Sequence, residues 1–88
     1  MQLSIIIPVH NRADLLAEAI DSIIAQGLDS YEIIICDDGS TENIEDLCAG
    51  FELSEEQLRY SRSEKSHGAQ VARNRGLSLA QGEFIMFM

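Results

Sequence analysis

Apolar residues fall into runs of two periods along the chain. Leu3 to Val9 (LSIIIPV) is a nearly continuous β-branched run, the pattern of a strand buried on both faces. After Pro8 the residues turn polar, and Asn11 is placed to cap a helix with Asp14 as its acidic partner. Leu15, Leu16, Ala19, Ile20, Ile23 and Ile24 then recur at helical spacing, and Gly27 supplies a stop. Tyr31 to Cys36 (YEIIIC) predicts a second buried strand, closed by Asp37-Asp38-Gly39-Ser40. A second helix is expected over Thr41 to Phe51, a weak third strand over Gln57 to Arg62, and a third helix over Ala69 to Ala80 with Gly82 as its stop. The stripe of that helix is made of small residues, so it should lie close to a sheet. Glu83 to Met88 (EFIMFM) reads as a fourth strand.

Strand and helix thus alternate as β-α-β-α-β-α-β. Short loops and right-handed crossovers imply an α/β fold, a mainly parallel sheet covered by helices on both faces. No repeat, linker or low-complexity tract interrupts it, and 88 residues allow one domain at most. The last strand ends on five consecutive apolar residues and wants neighbours on both sides. The chain therefore reads as a single partial domain, residues 1–88, and an unpaired final strand predicts homo-oligomers formed through residues 83–88.

Composition narrows the chemistry. Fifteen acidic against six basic residues give a net charge of −9 and a pI near 4.4, which argues against a nucleic-acid or anionic-membrane partner. The apolar stretches are too short for a membrane span, which needs about 20 residues, and no signal peptide is evident. Cys36 and Cys48 form no CxxC pair and are expected to be reduced, in a cytoplasmic setting. The basic residues are unevenly placed: Arg12 stands alone, and the other five lie between Arg59 and Arg75.

In an open parallel sheet, ligands bind beyond the carboxyl ends of the strands. Three polar loops fall there: Pro8 to Arg12, Asp37 to Thr41, and Ser63 to Gly68. GxGxxG is absent after the first strand and no GxxxxGK[ST] occurs, which excludes a dinucleotide fingerprint and a P-loop. The first loop suits contact with a base or ribose, while a helix N-terminus near Gly68 offers N–H groups to a phosphate. Asp37 and Asp38 admit two readings. They can cap the second helix and its turn, or they can accept hydrogen bonds from a base or ribose. His10 and His67 are more simply surface residues than catalytic bases, and no cluster has zinc spacing. A phospho-receiver would keep its acidic pair after the first strand and a Lys after the last, and this chain has neither.

The segments LSIIIPVHNR, EIIICDDGSTEN and HGAQVARNRGLSLAQGEFIMFM, in that order, resemble the N-terminal nucleotide-binding half of family 2 glycosyltransferases, over essentially the whole chain. The resemblance implies the Rossmann-like α/β/α half of a GT-A fold that binds a nucleotide-activated sugar, commonly a UDP-sugar, for transfer to a saccharide, lipid or protein acceptor with inversion. Pro8, Val9, His10 and Asn11 then match the loop that contacts uridine, although His10 stands where an aromatic is common. Asp38 matches the base-binding aspartate, with Asp37 and Ser40 supporting the turn. Gly68 and Arg73 match the segment that approaches the nucleotide, and Asn74 braces its helix. The family's DxD motif, which binds Mg²⁺ or Mn²⁺ on the diphosphate, follows the strand matching EFIMFM. The acceptor site and general base lie further on, so these residues alone should hold no metal and no catalytic group. The inner face of a membrane would be reached only through other parts of a parent protein. The alternative is a non-catalytic nucleotide-binding or self-associating module.

Overall fold

A computed structural model describes residues 2–88. Seven elements alternate: β1 (Leu3–Val9), α1 (Ala13–Ala25), β2 (Tyr31–Asp38), α2 (Ile44–Ala49), β3 (Leu58–Ser63), α3 (Ala69–Leu79) and β4 (Phe84–Phe87). The four strands form one parallel sheet in the order β3-β2-β1-β4.

Side chains alternate across the pleat, and that alternation divides the core. Ile5, Ile7, Val9, Ile33 and Ile35 point to the face covered by Leu16, Ile20 and Ile23 of α1 and by Ile44 and Cys48 of α2. Ile6, Ile34 and Cys36 point to the other face, against Ala72 of α3. Both faces of β1 and β2 are thus dry, which is why their sequences read as unbroken apolar runs rather than alternating ones. The small-residue stripe lets α3 approach closely: a Cβ on Gly76 would fall 2.5 Å from Ile6 Cγ2 and 3.0 Å from Cys36 Sγ.

A carboxylate lies in the same α3-side layer. Glu32 is fully buried on β2 and accepts from Ser4 Oγ at 2.6 Å, the Gln81 N–H at 2.7 Å and Arg59 at 3.2 Å. Arg59 also donates to the Leu79 carbonyl at 2.7 Å, tying β3 to the end of α3. Burial alone would raise the Glu32 carboxyl, but these hydrogen bonds outweigh it and hold it below its ordinary value. The network anchors the α3–β4 turn, where Gly82 N donates to Ser4 Oγ at 2.8 Å.

Several boundaries differ from the sequence expectation. Asn11 is not the cap of α1; Arg12 holds that position in a left-handed conformation, with no side-chain cap, because Asn11 is engaged elsewhere. β2 continues through Asp37 and Asp38, paired with β3 up to Ser63. α2 is shorter than expected: Asn43 caps it by accepting from Asp46 N at 3.1 Å, and residues 41–43 form a loop. α3 ends at Leu79, so Gly82 is no helix stop but a close-packing residue against Ser4. On α1, Leu15 and Ile24 remain exposed. β4 pairs with β1 along one edge and is exposed along its whole length. No helix among the described residues is long and apolar enough to cross a membrane.

Candidate functional site at the strand ends

The register brings the carboxyl ends of three strands level. Val9 lies opposite Asp37, and Asp38 lies opposite Ser63, so the loops that follow leave the sheet side by side. Extending β2 through Asp38 has a chemical consequence. Asp37 continues the face of Ile33 and Ile35, whereas Asp38 continues the face of Ile34 and Cys36. The two adjacent carboxylates therefore point to opposite sides of the sheet and are not arranged to chelate one metal ion together.

Asp38, on the α3 side, closes the loop after β3. Its carboxylate accepts from His67 N at 2.8 Å, Ser66 Oγ at 2.8 Å and Gly68 N at 2.9 Å. The His67 N–H contributes most and, with Ser66, Gly68 and the charge at His10, outweighs burial to lower the Asp38 carboxyl. The expectation that N–H groups near Gly68 stand open for a phosphate is thereby corrected in part: those of His67 and Gly68 already hold a carboxylate. Gly39 makes this closure possible. It sits at φ 71, and a Cβ there would lie 2.8 Å from the backbone N of Ser66.

Asp37, on the α1/α2 side, is fully buried. It accepts from Tyr60 Oη at 2.5 Å and from Ser40 N at 3.0 Å, and Arg62 Nε lies 3.6 Å away. The Asp37 carbonyl accepts from Arg75 at 3.2 Å.

The loop after β1 leans on the loop after β2. Asn11 N donates to Ser40 Oγ at 2.7 Å, and Asn11 Oδ1 accepts from Thr41 N, Thr41 Oγ1 and Glu42 N at 3.0, 3.1 and 3.2 Å. These bonds hold Asn11 and Arg12 at φ 59 and 61, a conformation sparsely populated by residues other than glycine. His10 Nδ1 lies 2.7 Å from the Asp38 carbonyl. A carbonyl only accepts, so Nδ1 carries the proton donated to it.

Pro8, Val9, His10 and Asn11 line a cavity of about 350 Å³, together with Arg12 and Leu15. Asp38 and Gly68 are linked to this cavity wall through His10, and Asp37 through Ser40. Arg73 lies half-buried on α3 and takes no part in these contacts; Arg75, two residues on, is the α3 side chain bonded to the end of β2. Among the described residues no group of His, Cys, Asp and Glu is arranged to hold a metal ion. Tyr60, Arg62, Ser66 and Arg75 are the participants that sequence reasoning missed. The alternation of Leu58, Tyr60 and Arg62 along β3 is the signal that could have found two of them, since it puts both on the Asp37 face.

Comparison with known proteins agrees with this architecture. The model of the family described as Glycosyl transferase family 2 matches residues 4–88. Glycosyltransferase GlyG of Streptococcus pneumoniae is 36% identical over 83 residues, covering 94% of this chain and 28% of that protein. The putative teichuronic acid biosynthesis glycosyltransferase TuaG of Bacillus subtilis is 34% identical over 85 residues, covering 97% of this chain and 34% of its own length. The chain thus spans about a third or less of these relatives. Among solved structures, mannosyltransferase PcManGT from Pyrobaculum calidifontis, in complex with GDP-Man and Mn²⁺, superimposes with a TM-score of 0.85 at 24% identity over 96% of this chain and 26% of its own. TarS from S. aureus gives a TM-score of 0.85 at 26% identity, over 100% of this chain and 27% of its own. The fold is the Rossmann-like α/β fold of GT-A glycosyltransferases.

Proposed function

This chain belongs to glycosyl transferase family 2, and from that premise we propose that its strand-end rim holds the nucleotide of an activated sugar donor, within a protein that transfers the glycosyl group to an acceptor. The observation that carries the reading is the joining of three loops at one rim: Asn11 to Ser40 and Thr41, His10 to Asp38, and Asp38 to His67 and Gly68. Such a rim is preorganised, so little ordering cost remains when a ligand arrives.

In this reading Pro8, Val9, His10 and Asn11 form the wall against the nucleoside. Asp38, whose carboxylate offers about four acceptor positions and has three engaged, keeps one for a base N–H on the α3 side of the rim. Gly68, at φ 96 with open space where a Cβ would be, allows close backbone approach. Arg73 supplies positive charge toward the diphosphate. Asp37 acts from beneath, on the loop rather than on the ligand. UDP is the expected nucleotide, and GDP is the alternative because PcManGT was solved with GDP-Man. A divalent ion would neutralise diphosphate charge, but Asp37 and Asp38 diverge and do not fit a shared ion, so no metal is assigned to these residues.

Calorimetric titration of UDP and GDP tests the reading. Saturable one-to-one binding, weakened about tenfold or more by Asp38→Ala, is expected from the loss of a buried charged acceptor. No heat with either nucleotide would refute it.

A second reading has its own observation: Phe84, Ile85, Met86 and Phe87 are all exposed on an edge strand. Such an edge favours pairing between copies through residues 83–88. Light scattering that shows a monomer at high concentration would contradict it.

A further inference from the structure

β3 contributes no residue to the wall of the cavity at Pro8 to Arg12. Even so, its side chains are connected to that wall by an unbroken series of hydrogen bonds. Tyr60 donates to Asp37 Oδ2 at 2.5 Å, and Arg62 Nε faces the same oxygen at 3.6 Å. Asp37 Oδ1 accepts from Ser40 N at 3.0 Å, while Arg62 holds the Ser40 carbonyl at 3.0 Å. Ser40 is thereby fixed at both its N–H and its carbonyl, in the peptide units on either side of it. Its hydroxyl oxygen accepts the N–H of Asn11 at 2.7 Å.

We infer that Tyr60 and Arg62 are positioning residues for the nucleotide wall, acting through Asp37 and Ser40 on the backbone of Asn11. The inference depends on the proposal that this rim binds a nucleotide. Its physical basis is the left-handed backbone at Asn11 and Arg12. Two consecutive non-glycine residues in that region, Arg12 above all, persist only where their surroundings hold them. The Asn11 N–H is one of the holds, and its acceptor is only as fixed as Ser40. Asp37 is the keystone because it is buried and is gripped from β3 on one oxygen. Burial and the bond to Asp37 also push the Tyr60 hydroxyl well above its ordinary range, in keeping with a phenol that donates to a carboxylate. The remaining holds, from Asn11 Oδ1 to residues 41 and 42, do not involve β3, so breaking the relay should loosen the wall rather than unfold it.

The test is a double-mutant cycle on the chain, with UDP and GDP affinity read by calorimetry and backbone amides read by NMR. Tyr60→Phe keeps the ring and removes one donor. It should weaken binding about fivefold, the order expected for one hydrogen bond to a charged group acting indirectly. It should also shift the amide signals of Asn11 and Arg12. Ser40→Ala should weaken binding by a similar factor, and Tyr60→Phe should add little in that background. Arg62→Gln, which leaves the core ring in place, provides the same reading if Tyr60→Phe folds poorly. Unchanged Asn11 and Arg12 amides in Tyr60→Phe and Arg62→Gln would overturn the relay. Independent, additive losses would also overturn it, since they mark general destabilisation. Absence of any binding by the unmutated chain would instead overturn the nucleotide reading beneath it, a result the amide signals keep separate from failure of the relay.

Discussion

Gly39 and Gly27 make a matched pair on which the packing of the rim can be weighed. Both have positive φ, 71 and 64 respectively, so alanine at either meets the same backbone penalty. That penalty is roughly 1–2 kcal/mol, offset by about 0.4–1 kcal/mol because alanine also restricts the unfolded chain. Gly27 has nothing within 4 Å of a built Cβ, so Gly27→Ala should cost about 1 kcal/mol, up to about 1.6 from those figures. Gly39 differs in one respect: its Cβ would meet Ser66 N at 2.8 Å, Lys65 C at 3.0 Å and Glu64 O at 3.3 Å. These are backbone atoms, which cannot swing aside as a side-chain end would. The loop must shift, and its bonds to Asp38 shift with it. Overpacking of this kind adds roughly 1–3 kcal/mol. Urea unfolding should therefore place Gly39→Ala about 1–3 kcal/mol below Gly27→Ala at an unchanged denaturant slope. Equal costs would mean that the loop over Gly39 yields freely, and the account of a rigid rim would be wrong.

Two further predictions concern the α3 side of the sheet and its carboxylates. Gly76→Ala improves helix propensity by about 1 kcal/mol, yet it drives a methyl into Ile6 and Cys36, so a net loss of about 1–2 kcal/mol is expected in urea unfolding; a stabilised variant would contradict the close α3 packing. The carboxyls of Glu32 and Asp38 are both lowered in the fold, so the stability they contribute is complete above the ordinary carboxylate range, about pH 4–4.5, and is lost as pH falls through their folded values. Urea midpoints should decline on acidification below that range, and Glu32→Gln should flatten the decline; an identical acid profile in the variant would remove Glu32 from the explanation.

What could be read from the sequence follows from how local its causes are. β1 and β2 were legible because a strand covered on both faces is an uninterrupted apolar run, and Ile5 to Ile7 and Ile33 to Ile35 are such runs. The close approach of α3 was legible because Ala72 and Gly76 fall on one helical face. The misreadings involve partners far along the chain. Asn11 has the composition and place of a helix cap, but its side chain serves residues 41 and 42 across the rim. Asp37 and Asp38 read as a pair while β2 was expected to end at Cys36; two more residues of strand turn the pair into opposite faces. Gly68 sits at a helix start, and only the fold shows that Asp38 already takes the N–H groups of His67 and Gly68 there. The alternation along β3 marks the face of Tyr60 but not its bond to Asp37, because that contact exists only once β3 lies beside β2.

Mapping UDP and GDP by amide chemical-shift perturbation addresses the central claim most directly. The rim should respond first, with the largest shifts at residues 9–12, 38–41 and 66–69 and little change along the groove between α2 and β3 near Phe51 and Leu58. Perturbations confined to that groove, or none at saturating nucleotide, would contradict it.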